Sequence, residues 1–258
     1  MKKYNATLIP GDGIGPEVTK AAVEIVNSTG VEIIWETVNA GQDIFDEKGI
    51  LIPDQVYESI EKNKVVLKGP ITTPIGKGFR SINVALRKKY DLYANIRPIS
   101  NLWKNDANPI DMVIFRENTE GLYIGIEHEI TKDHFISIKK TTRKGSERIL
   151  EKAFEYAKNN KKEKVTLAHK ANILKMTDGL FLEIGRETSE KYKIPLEEVI
   201  IDNMCMQMVM NPSQFDLIVT MNLYGDILSD LGAGLVGGLG LIPSANMAIS
   251  SPMFALGI

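Results

Sequence analysis

Short apolar runs that alternate with segments of helical period constrain this chain more than any other feature. Tyr4 to Ile9, Val31 to Val38 and Val65 to Leu67 each read as a strand. Between them Val18, Ala21, Ala22, Ile25 and Val26 recur at helical spacing, and Pro53 to Ile60 forms a short helix with Val56 and Ile60 inward. Strands separated by helices point to a mostly parallel sheet. The alternation resumes later. Asp111 to Phe115 reads as a buried strand, Lys144 to Asn159 as an amphipathic helix, Val165 to Ala168 as a strand and Met176 to Glu190 as a helix. Val199 to Ile201 gives a strand ending in Asp202, followed by an apolar helix carrying Cys205, Met206, Val209 and Met210, whose methionines read as core filler rather than a metal box. Leu217 to Thr220 is the last clear strand. The fold class is α/β.

Two stretches interrupt the alternation. Leu92 to Ile96 gives a short strand, and Asn101 to Pro109 is a polar, proline-ended crossing or surface loop. Leu122 to Ile138 is rich in aromatic and β-branched residues and reads as an antiparallel arm, with Tyr123 at its start, that acts as a lid or a dimer contact.

Candidate ligand groups sit where the strands end. Pro10-Gly11-Asp12-Gly13-Ile14-Gly15-Pro16 is a turn opening a helix, but GDGIG is not GxGxxG, and packing explains its glycines as often as ligand binding does. After Val65 to Leu67 come Ile71, Thr72, Thr73, Ser81 and Asn83, with Arg80, Arg87 and Arg97 close behind. Arg87 and Arg97 have apolar neighbours, which favours a docked anion over mere solubility, since a planar guanidinium grips a carboxylate or phosphate bidentately. Arg116, Glu117 and Asn118 follow the Asp111 strand, and His169, Lys170 and Asn172 follow the Val165 strand, at the ends where open α/β sheets bind ligands. Asp226 and Asp230 lie four residues apart on a helix with apolar flanks; like charges at that spacing repel unless a cation such as magnesium or manganese sits between them.

Composition narrows the classes. A net charge of −2 provides no basic field for nucleic acid. The single cysteine, Cys205, supports neither a disulfide framework nor a structural zinc site and fits a reducing compartment. Leu231 to Ile242 is too short and glycine-rich to span a bilayer, and no signal-peptide region follows Met1, so a cytoplasmic protein is expected.

The strings LIPGDGIGPEV at the start and NLYGDILSDLGAGLVGGLGLIPSAN near the end, with the residues between them in order, resemble the β-decarboxylating dehydrogenases acting on isocitrate, isopropylmalate and homoisocitrate, most nearly the NAD-dependent isocitrate dehydrogenases. The resemblance implies a two-domain, non-Rossmann fold: a large domain from 1–98 and 237–258, and a small one from 99–236 with a dimer-clasp arm at about 122–142. It implies substrate contacts from Ser81, Asn83, Arg87, Arg97 and Arg116, and a catalytic pair in Tyr123 and Lys170. It places Ile71, Thr72, Thr73 and Asn118 beside the nicotinamide, and Asp202, Asp226 and Asp230 on Mg2+ or Mn2+. Lys170 and Asp202 would reach across from a partner subunit, so the expected form is a homodimer with shared sites. The cofactor implied is NAD, with NADP as the alternative, and the substrate a small tricarboxylate; no membrane or nucleic acid is implied. Ser81 and Asn83 would suit the γ-carboxylate of isocitrate better than an isopropyl group.

The resemblance stops near Asn246, and the last residues do not match the family's continuation, so the chain is expected to lack the adenosine-binding loop and the closing helices of the large domain. Alternatives are a catalytically silent or regulatory subunit, a related isopropylmalate or homoisocitrate enzyme, and an unrelated nucleotide-binding module.

Overall fold

A computed structural model describes residues 3–72, 82–102, 109–248 and 252–256. The elements in chain order are β1 (Lys3–Ile9), α1 (Gly15–Ser28), β2 (Glu32–Thr37), α2 (Gln42–Lys48), α3 (Asp54–Asn63), β3 (Val66–Lys68), α4 (Ile82–Lys89), β4 (Ala94–Ser100), β5 (Asp111–Glu117), β6 (Glu127–Thr131) and β7 (His134–Ser137). There follow α5 (Arg143–Asn159), β8 (Val165–His169), α6 (Thr177–Tyr192), β9 (Leu196–Ile200), α7 (Ile201–Met210), β10 (Leu217–Thr220), α8 (Asn222–Leu235), β11 (Pro243–Met247) and β12 (Pro252–Leu256). The backbone divides into two compact units, 1–92 with 243–258, and 93–242.

In the first unit the strand order is β2-β1-β3-β12-β11. β1 runs parallel to β2 and β3, β12 parallel to β3, and β11 antiparallel to β12. Its core gathers Ile9, Val56, Ile60, Val66, Ile82, Leu86 and Leu92. The apolar residues of α1 are only partly covered: Ile25 is 67% exposed. Gly11 shows why the first turn is glycine-rich. Its φ is +83°, and a Cβ there would stand 1.9 Å from the carbonyl oxygen of Pro70. Two strand-end loops are thus packed backbone against backbone, so at Gly11 the packing explanation suffices.

In the second unit the order is β4-β5-β10-β8-β9, with β4 antiparallel to β5 and the others parallel. β5, β8 and β10 are buried nearly throughout, as apolar runs covered on both faces must be. α5 begins at Thr142, whose hydroxyl accepts from the Gly145 amide at 3.0 Å, and turns Ile149, Leu150, Ala153, Phe154 and Ala157 into the core. Among the described residues β6 and β7 pair only with each other, and they form the expected antiparallel arm.

Two sequence readings need correction. Asp202 does not end a strand: β9 stops at Ile200, and Asp202 stands in the first turn of α7, where a helix favours an acidic residue. The methionines of α7 divide by face. Met204 and Met208 are fully buried, whereas Met206 and Met210 are 50% and 68% exposed, so the latter two are surface rather than core filler; Val209 beside them is 57% exposed.

Candidate active site

The second unit carries two distinct clusters of the candidate residues. The first is built by the adjacent strands β4 and β5 against α8. Arg116, near the end of β5, is only 1% exposed. Its Nε and Nη2 donate to Asn222 Oδ1 at 3.0 and 2.8 Å, and its Nη1 pairs with Asp226 Oδ1. The Tyr123 hydroxyl donates to the other oxygen of Asp226, and the Tyr123 ring lies 5.1 Å from the Arg116 guanidinium carbon. Arg97 on β4 meets Asp230 at 3.3 Å and donates through Nε to Asn95 Oδ1 at 3.1 Å. Asn222, Asp226 and Asp230 recur every four residues on one face of α8.

This arrangement changes the argument made from the Asp226–Asp230 spacing. Their mutual repulsion is relieved by Arg116 and Arg97, so the fold does not need a cation to hold them. Burial pushes the Asp226 carboxyl up, but the Arg116 charge, the Tyr123 hydrogen bond and the Arg97 charge outweigh it and hold Asp226 below the usual carboxylate range.

The second cluster holds Lys170, just beyond β8, and Asp202 on α7, whose Nζ and Oδ2 are 2.9 Å apart. Its polar supports were not singled out in the sequence. Asp178 is wholly buried and accepts from the Lys170 amide at 2.8 Å and from the Tyr224 hydroxyl at 3.0 Å, and it pairs with Lys139. The signal available for it was an acidic residue in the first turn of a helix, which is too common to be informative.

Next to Lys170, His169 Nδ1 accepts from the Ala171 amide at 3.0 Å, so the ring is held neutral. Burial drives its pKa below the usual 6.5, with Glu198 and Asp178 partly opposing. The unfolded chain therefore takes up a proton at a higher pH than the folded one. The stability that follows is complete above 6.5 and is lost as pH falls from there through the lower folded value. Denaturant unfolding of wild type should weaken between pH 7 and 5 more than that of His169→Gln. Equal slopes for the two proteins would remove His169 as the cause.

Other predicted residues divide between the units. Asn118 is buried in the second unit, its amide donating to the Tyr93 carbonyl at 2.9 Å. In the first unit Asn83 and Arg87 lie half-buried on α4, and Ile71 and Thr72 follow β3. Asp12 fixes that segment, accepting from the amides of Thr72 at 2.7 Å and Gln42 at 2.9 Å. Thr73, Arg80 and Ser81 lie outside the described residues.

Among the described residues no three acidic, histidine or cysteine side chains come together as a metal site. Asp226 and Asp230 nevertheless fit a hard divalent ion in part. They offer carboxylate oxygens one helical turn apart, with side chains 35% and 58% exposed, and each oxygen retains a lone pair beyond its present partner. A third carboxylate has to come from elsewhere.

Fork-forming arginines, a phenol and paired carboxylates on an α/β scaffold are the group types that a small polycarboxylate would engage. The chain belongs to the isocitrate/isopropylmalate dehydrogenase family, whose model matches residues 5–255. It is 51% identical over 245 residues to the mitochondrial NAD isocitrate dehydrogenase catalytic subunit 5 of Arabidopsis thaliana, covering 94% of this chain and 66% of that one. It is 49% identical over 245 residues to the chloroplastic 3-isopropylmalate dehydrogenase of Solanum tuberosum, covering 94% and 69%. The crystal structure of isocitrate dehydrogenase from Methylococcus capsulatus superposes with a TM-score of 0.93 at 51% identity, covering 98% of this chain and 77% of that one. The chain thus spans about two thirds of the length of these curated relatives.

The expected cytoplasmic location is overturned by these relatives. The curated isocitrate dehydrogenases among the relatives are mitochondrial, in Arabidopsis thaliana, Macaca fascicularis and Homo sapiens alike, and the curated isopropylmalate enzyme is chloroplastic. A lone cysteine fits a reducing organelle interior as well as the cytosol, so composition carried no information on the compartment. No helix among the described residues is long and apolar enough to cross a membrane.

Proposed function

We propose that this chain catalyses the NAD-dependent oxidative decarboxylation of isocitrate to 2-oxoglutarate and carbon dioxide, with Mg2+ or Mn2+, in a homodimer whose sites draw on both subunits. The observation that carries the reading is the cluster of Arg97, Arg116, Tyr123, Asp226 and Asp230. NAD, when bound, would supply the hydride acceptor, and a divalent ion held by Asp226 and Asp230 with the partner subunit's Asp202 would supply a Lewis acid for the developing ketone.

The chain's own groups do the rest. Arg97 and Arg116 bind and orient substrate carboxylates, and Arg87, Ser81 and Asn83 are assigned to substrate binding as well. Lys170 of the partner subunit takes the proton from the C2 hydroxyl as hydride leaves C2. The β-carboxyl then departs as carbon dioxide, its bonding pair passing into an enolate, and Tyr123 returns a proton to C3. Ile71, Thr72, Thr73 and Asn118 flank the nicotinamide.

Sharing between subunits is favoured by the partition seen in one chain: Lys170 pairs with Asp202, away from the Asp226–Asp230 pair. Apolar groups on the arm await a partner as well, with Ile130 54% and Phe135 65% exposed, and so do Met206, Val209 and Met210 on α7. We assign the arm, carried by the unit at 93–242, as the clasp between two copies. The organellar location of the relatives is carried over to this chain.

The test is complementation. Lys170→Met and Asp226→Asn chains should each fail to reduce NAD with isocitrate. Mixed and allowed to exchange, they should regain about a quarter of wild-type activity, because random pairing makes half the dimers mixed and each mixed dimer has one intact site. Exchange without recovery would sink the shared site. Isopropylmalate and NADP belong in the same assay, because identities of 51% and 49% do not by themselves separate the two substrates.

A further inference from the structure

We propose that Asp178 is a positioning residue for the proton-transfer step, one buried carboxylate holding the Lys170 turn against helix α8. The inference rests on the reading of Lys170 as the base.

Asp178 has 0% exposure and sits in the first turn of α6. A carboxylate so buried must be met by donors. Its Oδ2 accepts from the Lys170 amide at 2.8 Å and the Tyr224 hydroxyl at 3.0 Å. Its Oδ1 accepts from Lys139 Nζ and from Thr177 Oγ1 at 3.1 Å. These donors come from the end of the arm, the loop after β8, α6 itself and α8, which is more than a helix cap requires.

The Lys170 backbone is fixed from both sides. Its amide is held by Asp178, while its carbonyl accepts from the Ile173 and Leu174 amides at 2.9 and 2.8 Å. The Leu174 carbonyl in turn accepts from the Asp178 amide at 3.1 Å, so the turn closes on the residue that anchors it. Only the side chain of Lys170 is left to reach outward, and it does so toward Asp202.

Tyr224 gives the anchor its second purpose. On α8 the stripe Asn222, Asp226 and Asp230 faces the arginines, and Tyr224 points away from that stripe toward Asp178. One carboxylate therefore ties the Lys170 turn to the helix that carries the other cluster. Burial, followed by the Asp178 charge, pushes the Tyr224 phenol far up, so it remains a donor. Beside this node lies a cavity of about 190 Å³ lined by Leu122, Lys139, Leu174, Met221 and Leu223 among others. The turn has room to shift once the anchor is gone.

The experiment compares wild type, Asp178→Asn and Tyr224→Phe in two assays: NAD reduction with isocitrate, and decarboxylation of added oxalosuccinate, which needs no hydride transfer and relies on Tyr123. Misplacing the base should lower kcat for isocitrate by about 10²-fold in Asp178→Asn and by less in Tyr224→Phe. KM for isocitrate should stay within about 2-fold and decarboxylation should be retained. Loss of both reactions in step, or a rise in KM that accounts for the loss, would assign Asp178 a purely structural role and overturn the proposal. Should Asp178→Asn fail to fold, Tyr224→Phe decides alone, because it removes one hydroxyl and leaves the Lys139 pair; unchanged kcat in that variant overturns the proposal. An active wild type with both variants unaffected overturns this inference and leaves the function intact. A wild type that never reduces NAD with isocitrate overturns the reading beneath both.

Discussion

Replacing Arg116 with lysine should lower kcat/KM for isocitrate by about 10²–10³-fold while the protein stays folded, because the charge survives and the fork does not. Arg116 uses Nε and Nη2 on Asn222 and Nη1 on Asp226. An ammonium can meet one of these two acceptors but cannot hold all three hydrogen bonds. The substrate carboxylate would then face a mobile point charge, and Asp226 would lose its fixed partner. Arg116→Ala should add a folding defect. Removing one member of a fully buried pair costs about 3–5 kcal/mol; here water reaches the Asp226 side chain, 35% exposed, so about 2 kcal/mol is expected.

Gly225 supplies an independent test of the same geometry. A Cβ there would lie 2.5 Å from Arg116 Cγ and 2.6 Å from its Cβ, so Gly225→Ala must displace the arginine stem without touching its charge. Steady-state kinetics and urea unfolding on the three variants check the set. Wild-type kcat/KM in Arg116→Lys would mean that Arg116 only supports the fold.

The parts of the fold legible in the sequence are those where one local pattern had no rival. The amphipathic α5 is of this kind because its period holds over 17 residues, and the buried runs of β5, β8 and β10 because they are short and rich in β-branched or aromatic residues, which favours strand over helix. α4 was not recognised as a helix: it lies among the glycines and arginines of a ligand loop, and its last turn is Arg87, Lys88 and Lys89. β9 carries Leu196 and two glutamates before Val199, so its start was hidden by charge that the structure sends to Lys164 and Arg186.

The site was legible as a set of residue types and illegible as a set of contacts. The spacing of Asp226 and Asp230 announces a shared helical face. That Arg116 and Arg97 neutralise it depends on pairings across more than a hundred residues, which no local rule reveals. Asn222 could have been found, as it extends the stripe by one turn. Asp178 could not, because its meaning lies in donors gathered from Lys139, Lys170 and Tyr224.

Lys68 should carry the largest stability effect. It ends β3, is 4% exposed, and donates to the Gly69 carbonyl at 2.6 Å. Burial first, and then the positive charge of Arg87, lower its pKa from 10.5 to about 8, with Asp12 opposing only in part. The unfolded chain thus keeps this proton up to 10.5 and the folded chain only up to about 8. Stability from this group is full above 10.5, falls as pH drops toward 8, and stays reduced below that, a cost of about 3 kcal/mol at neutral pH. Methionine matches the stem in length and carries no charge, but it leaves the Gly69 carbonyl without its donor, at a cost of about 1–3 kcal/mol. At pH 7 the net gain of Lys68→Met is therefore small. The decisive quantity is the difference between wild type and variant as pH rises from 8 to 10.5, which should shift in favour of wild type by about 3 kcal/mol. Parallel curves over that range would show that Lys68 stays charged in the fold. A shift of the expected size would show that the first unit holds a disfavoured cation beside Arg87, and a carboxylate arriving at Arg87 relieves the same repulsion that depresses Lys68.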